Sequence, residues 1–172
     1  MKTKLIVEIG ENHLGNWQLA KGMVREAAKA GGTYAKFQTY TADQFGKDHR
    51  WYEDFKGVEV PEKVHFELQE ECRQAGIEFL SSTFTIRSTR FLVEKMGLNA
   101  LKVASGRIPH LDLLDDINDR AERVKTVFLS TGGSTMDEIH DAVDRLDKIE
   151  EVYLLHCISQ YPTDDENVNM KM

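Results

Sequence analysis

Short apolar runs alternate in series with longer helical patterns, and this alternation constrains the fold more than any other feature. Strand-like runs fall at Lys4–Ile9, Tyr34–Thr39, Glu78–Ser82, Leu101–Ala104, Val127–Ser130 and Val152–His156. Their shortness and β-branched or aromatic content suit buried strands rather than helix segments. Between them, Trp17–Ala30 carries Leu19, Ala20, Met23, Val24 and Ala27 at helical spacing behind Asn16, a residue suited to an N-cap. Pro61 fits a first helical position, with Val64, Leu68 and Cys72 recurring at i, i+4 and i+8 before Gly76 closes the helix. Arg87–Lys95 reads as a shorter helix and Leu111–Glu122 as an acidic one, while Thr135 and Glu138 form a capping-box pattern opening a helix through Leu146. Residues 42–58 read as a long loop, and loops of that length are usually functional or mobile.

A serial β/α repeat calls for a parallel sheet, either open and doubly wound or closing toward a TIM barrel. Late in almost every strand comes a polar residue: Glu8, Lys36 with Gln38, Ser81 with Ser82, Lys102, Ser130 and His156. Barrel active sites are assembled from the carboxyl ends of several strands, whereas an open sheet concentrates its site at one switch point. The barrel therefore leads. A complete barrel takes about 250 residues, so a chain of 172 is expected to supply six of the eight strands.

With 22 Lys+Arg against 29 Asp+Glu, the chain has a formal charge of −7, which argues against a nucleic-acid partner held by the phosphate backbone. A small anion remains compatible, because a local pocket can be basic on an acidic protein. Cys72 and Cys157 form no CxxC pair, so neither a zinc ribbon nor a disulfide framework is indicated. No stretch has the length of a membrane helix or a signal-peptide core, and the expected location is the cytoplasm.

Lys36 and Gln38 are two apart on one strand and so share a face, with Phe37 on the other. A lysine facing a sheet interior is costly unless it is paired or meets an anion; the bland alternative is an ammonium that reaches solvent. Lys102 lies in a second apolar run that turns through Ser105 and Gly106, and Ser130-Thr131-Gly132 and Ser81-Ser82 repeat the hydroxyl-rich strand end. Together these describe a cradle for phosphate or carboxylate, with lysines as point charges and hydroxyls and amides as oriented donors. Glu8 could pair with an interior lysine or serve as a general base. His156 with Cys157 could touch a metal, but two donors without a third make a weak site.

The motifs Glu8-Ile-Gly10-x-Asn12-His13-x-Gly15, Lys36-Phe-Gln38-Thr39, Lys102-x-x-Ser105-Gly106, Ser130-Thr131-Gly132 and His156-Cys157-x-x-x-Tyr161-Pro162-Thr163 resemble the sialic acid synthase family. That resemblance implies the N-terminal portion of a TIM-barrel domain across residues 1–172, with later barrel units and an antifreeze-like domain outside it. It implies condensation of phosphoenolpyruvate with an N-acyl aminosugar aldehyde to a nonulosonic acid, with release of phosphate. Lys36, Ser82, Lys102, Ser105 and Ser130 would bind phosphoenolpyruvate, Gln38, Arg107 and Tyr161 would face the acceptor sugar, and Glu8 would lie in the reaction centre. A divalent metal, Mn²⁺ or Mg²⁺, would be held by ligands outside this chain, and the full-length protein would be a homodimer. Two positions depart from the family. Ser82-Thr83-Phe84 replaces Thr-Pro-Phe, and Arg107 stands where an acidic residue is usual, which suggests an anionic acceptor. Little activity is expected of the 172 residues alone. The alternatives are a catalytically silent anion-binding module and another phosphosugar enzyme using a Schiff-base lysine.

Overall fold

The computed structural model describes residues 3–170. The chain divides into two compact units, one ending at Thr83 and the other beginning at Phe84.

In the first unit, β1 (Ile6–Glu8), β2 (Tyr34–Thr39) and β3 (Glu78–Thr83) are joined by α1 (Trp17–Lys29) and α3 (Glu62–Ala75). Both strand pairs are parallel, in a register that sets Glu8 beside Lys36, Lys36 beside Leu80 and Gln38 beside Ser82. Asn16 caps α1 as expected, its side chain accepting from the amides of Gln18 and Leu19 at 3.1 and 3.0 Å. The helix buries Ala20, Val24 and Ala27, and α3 buries Val64, Leu68 and Cys72, so each turns one apolar stripe inward. On their outer sides Lys21–Glu67 (2.8 Å) and Arg25–Glu71 (2.7 Å) tie the two helices together.

Two expectations change here. Pro61 stands one residue earlier than foreseen, as the extended N-cap of α3 rather than its first helical residue. Residues 42–58 are also not a bare loop: a 3₁₀ turn at Ala42–Phe45 leads into helix α2, Tyr52–Val58. The reason is an aromatic cluster that sequence periodicity does not register. Phe45 packs on Phe55 with ring centroids 4.7 Å apart, and Tyr40 meets both rings edge-on at 5.4 and 6.0 Å.

In the second unit, β4 (Ala100–Val103), β5 (Thr126–Ser130) and β6 (Glu151–Leu155) are again parallel to their sequence neighbours. Helices α4 (Ile86–Arg90), α5 (Leu111–Asn118) and α6 (Met136–Asp144) intervene. The stretch expected as one helix over Arg87–Lys95 divides, with α4 running into a π-helical turn at Phe91–Lys95. The acidic helix ends at Asn118 rather than Glu122, where the Asn118 side-chain oxygen accepts from the Lys148 amide (3.0 Å) and its amide donates to Asp147 (2.7 Å). The capping box at α6 forms as read: Thr135 Oγ1 accepts from the Glu138 amide at 3.3 Å, and Glu138 accepts from the Thr135 amide at 2.7 Å. All of β5 is buried, which explains its unbroken apolar run.

Within each unit the strands follow chain order without the reversal that defines a doubly wound switch point. The fold is a parallel β/α repeat of the TIM-barrel type, supplying six of the eight strands. No helix among the described residues is long and apolar enough to cross a membrane.

Candidate functional site

In the first unit the expected residues converge. Strand alternation turns Lys36 and Gln38 to one face and buries Phe37 on the other, stacked on Phe79 at 5.4 Å. Lys36 is only 6% exposed, so its ammonium requires partners. It forms an ion pair with Glu8, its register neighbour, and donates to Ser82 Oγ at 3.2 Å. The pairing role foreseen as one option for Glu8 is therefore realised. The Glu8 side chain is nevertheless 52% exposed, so a buried cation is balanced by a carboxylate that water, or an incoming ligand, can reach. Gln38 joins the cluster through Gly10, where a Cβ would lie 3.0 Å from Glu8 Oε1 and 3.6 Å from Gln38 Nε2.

Behind this cluster, on the helix-facing side of β2 and β3, runs a buried relay. His65 Nδ1 faces the Pro61 carbonyl at 3.1 Å and so carries the hydrogen, leaving Nε2 to accept from Thr39 Oγ1 at 2.8 Å. Thr39 Oγ1 then accepts from Ser81 Oγ at 2.7 Å. The expectation of a core or solvent-edge histidine resolves to a core one. His13 is also fully buried; its Nδ1 accepts from the Gly15 amide at 3.1 Å, and its Nε2 has no partner.

Burial lowers the pKa of both imidazoles, outweighing the opposing effect of Glu11 on His13 and of the Pro61 carbonyl and Glu62 on His65. With folded values below the unfolded 6.5, the unfolded chain takes up protons first on acidification. Stability from this source is intact above about pH 6.5 and declines below it, by up to about 1.4 kcal/mol per pH unit for each histidine. Urea midpoints compared between pH 7.5 and 5.5 should fall accordingly. His65→Gln should lower stability at both pH values yet flatten the slope; an unchanged slope would place the titration elsewhere.

In the second unit, Lys102 lies beside Phe128 in register, and Phe128 beside Tyr153, whose ring stacks on it at 5.3 Å. Ser130, two residues beyond Phe128, shares the Lys102 face and is buried. Ser105 Oγ accepts from the Gly132 amide at 3.1 Å, joining the ends of β4 and β5. Thr131 donates its amide and hydroxyl to the Leu155 carbonyl at 3.1 and 3.0 Å, joining the ends of β5 and β6. Arg107 lies with its guanidinium 5.7 Å from the Phe84 ring centroid and 3.3 Å from His110 Nε2. Tyr161, by contrast, is 96% exposed and is not gathered with these groups.

Among the described residues no group of three or more His, Cys, Asp or Glu could hold a metal ion, and His156 with Cys157 gains no third ligand. The implied divalent metal thus has no fitting site on these residues.

Sequence reasoning missed Glu11 and Tyr40. The Tyr40 hydroxyl donates to Glu11 Oε1 at 2.5 Å, and Tyr40 is buried. The available signal was a tyrosine directly after the Lys36–Thr39 strand motif, since a buried tyrosine hydroxyl needs a partner.

The parallel β/α units are of the TIM-barrel type, and they carry lysines, hydroxyls and turn amides at the carboxyl ends of their strands, the end at which barrel active sites are built. The chain belongs to the NeuB family, whose sequence pattern matches residues 23–172. It is 40% identical over 171 residues to an uncharacterized protein of Methanocaldococcus jannaschii, covering 98% of this chain and 50% of that protein. It is 32% identical over 188 residues to N,N'-diacetyllegionaminic acid synthase of Legionella pneumophila, covering 97% of this chain and 52% of the synthase. Among solved structures, N-acetylneuraminic acid (sialic acid) synthetase from Leptospira borgpetersenii, in complex with citrate, matches with a TM-score of 0.91 at 31% identity, covering 98% of this chain and 59% of that one. The chain spans about half the length of the curated relatives it matches.

Proposed function

We propose that this chain provides phosphoenolpyruvate-binding strand ends for a synthase that joins phosphoenolpyruvate to an N-acyl aminosugar aldehyde, giving a nonulosonic acid and phosphate. The observation that carries this reading is the buried Lys36 ammonium held between the half-exposed Glu8 carboxylate and the Ser82 hydroxyl. Such a cation is desolvated, fixed and open to exchange of its counter-charge. Family membership, the names of the relatives and the citrate complex of the sialic acid synthetase support the same reading. Lys36 and Ser82 in the first unit, and Lys102, Ser105 and Ser130 in the second, would bind phosphoenolpyruvate; Gln38, Arg107 and Tyr161 would face the acceptor.

In this reaction the enol carbon of phosphoenolpyruvate forms a bond to the aldehyde carbon, whose oxygen takes a proton. Water adds to the former enol-phosphate carbon, and the C–O bond to phosphate breaks to leave the keto acid. Glu8 would take the proton of that water, and Lys36 would balance the charge of the substrate. The family resemblance implies Mn²⁺ or Mg²⁺, a homodimer and a cytoplasmic location for a synthase of this kind.

Isothermal titration tests the binding half of the proposal: phosphoenolpyruvate should bind, and any phosphate release should require both phosphoenolpyruvate and an aminosugar. Borohydride trapping of substrate on Lys36 or Lys102 would favour a Schiff-base enzyme instead. Binding without turnover, even when the remaining barrel units of a family member are supplied, would favour a silent anion-binding module.

Arg107 adds a statement about the acceptor. Its guanidinium lies 5.7 Å from the Phe84 ring centroid and within hydrogen-bond distance of His110, with no carboxylate partner among the described residues. This arrangement suits a phosphate or carboxylate on the acceptor. A charge-assisted hydrogen bond of about 1.5–3 kcal/mol implies that Arg107→Glu reduces the preference for a phosphorylated over a neutral aminosugar by roughly tenfold or more. An unchanged ranking of acceptors would remove Arg107 from the acceptor site.

A further inference from the structure

The β1–α1 loop is pinned twice, to β2 and to the residue directly after it, on either side of Gln38. At one end the amides of Ile9 and Gly10 both donate to the Lys36 carbonyl, at 2.9 and 3.0 Å. At the other, Glu11 accepts the short bond from Tyr40. Tyr40 is itself fixed by the rings of Phe45 and Phe55, and its hydroxyl also lies 3.4 Å from the Phe55 carbonyl. Gly10 belongs to the first pin, and its missing side chain leaves just enough room for Glu8 Oε1 and Gln38 Nε2. A loop fixed on only one side of Gln38 could swing, and the Gln38 amide could then take other rotamers.

We infer that Glu11 and Tyr40 are positioning residues, whose mutual hydrogen bond holds Gly10 against Glu8 and Gln38 and so fixes the Gln38 amide for the acceptor sugar. The acceptor role of Gln38 rests on the proposed synthase reading; the positioning does not. The carboxylate makes the bond charge-assisted, but an amide oxygen at the same place still accepts. Glu11→Gln therefore acts as the conservative rescue, while Tyr40→Phe and Glu11→Ala remove the bond.

The 172-residue chain and these three variants are titrated with phosphoenolpyruvate and with N-acetylmannosamine, and followed by NMR at the Gly10 backbone amide and the Gln38 side-chain amide. Tyr40→Phe and Glu11→Ala should weaken N-acetylmannosamine roughly tenfold and leave phosphoenolpyruvate within about twofold, with Glu11→Gln close to the parent. Both resonances should move in the first two variants and return in Glu11→Gln. Equal weakening of both ligands, or no change in either, would overturn the inference. If the parent chain binds neither ligand, the synthase reading fails, and the resonances alone decide the positioning: unmoved Gly10 and Gln38 signals in Tyr40→Phe would end it.

Discussion

Replacing Lys36 by methionine should weaken phosphoenolpyruvate binding by roughly 10- to 150-fold, the equivalent of one charge-assisted hydrogen bond of about 1.5–3 kcal/mol, and should barely alter stability. The asymmetry of the pair is the reason. Lys36 is buried while the Glu8 side chain is 52% exposed. Removing the ammonium leaves a carboxylate that water can solvate, and methionine fills the vacated stem with apolar volume. Glu8→Gln does the reverse: it leaves a buried cation with only the Ser82 hydroxyl and a neutral amide beside it. That variant should lose about 1–3 kcal/mol and recover much of the loss when phosphoenolpyruvate supplies the missing negative charge. Urea denaturation of both variants, with and without the ligand, separates the two effects. Equal destabilisation by the two substitutions, or unchanged phosphoenolpyruvate affinity in Lys36→Met, would show that the pair is structural only.

Gly15→Ala is expected to be the most damaging single-methyl change in the first unit. Gly15 has φ +74°, and a Cβ there would lie 2.5 Å from the carbonyl oxygen of Gly57. The left-handed conformation alone costs an L-residue about 1–2 kcal/mol, and a forced backbone separation adds about 1–3 kcal/mol. Gly76, at the C-terminus of α3, shares φ +74° but has nothing within 4 Å of a Cβ. Gly76→Ala therefore isolates the conformational cost at about 1 kcal/mol. Denaturation midpoints should rank the parent above Gly76→Ala and Gly76→Ala well above Gly15→Ala. Equal losses would mean that the β1–α1 loop is not held against α2. Because Tyr40 and Glu11 tie the same loop to the end of β2, Gly15→Ala should also broaden the Gln38 side-chain resonance.

What could be read from the amino-acid order follows from periodicity. The β2 limits Tyr34–Thr39 are as expected, because that strand is bounded by Gly31-Gly32 on one side and a polar turn on the other. The caps at Asn16 and Thr135 are local hydrogen bonds, so residue type and spacing suffice to foresee them. The shared face of Lys36 and Gln38 is fixed by the two-residue repeat of a strand. The ordered helix at Tyr52–Val58 could not be read this way, because Tyr40, Phe45 and Phe55 lie 5, 10 and 15 residues apart and obey no single period. Tyr161 fared differently from its motif neighbours: the motif marks it for the acceptor, yet it stands 96% exposed beyond β6.

By itself, then, the sequence determined the β/α repeat, the side of each strand on which the polar groups stand, and the family, since all three depend on residue type at fixed spacing. Only the tertiary structure decided which charges meet. Glu8 and Lys36 are 28 positions apart in the chain, Lys36 and Ser82 are 46 apart, and Glu11 and Tyr40 are 29 apart. Pairings over such separations are set by strand register and loop packing. A one-residue slip in β1 against β2 would turn Glu8 to the opposite face and leave the same motif without its ion pair.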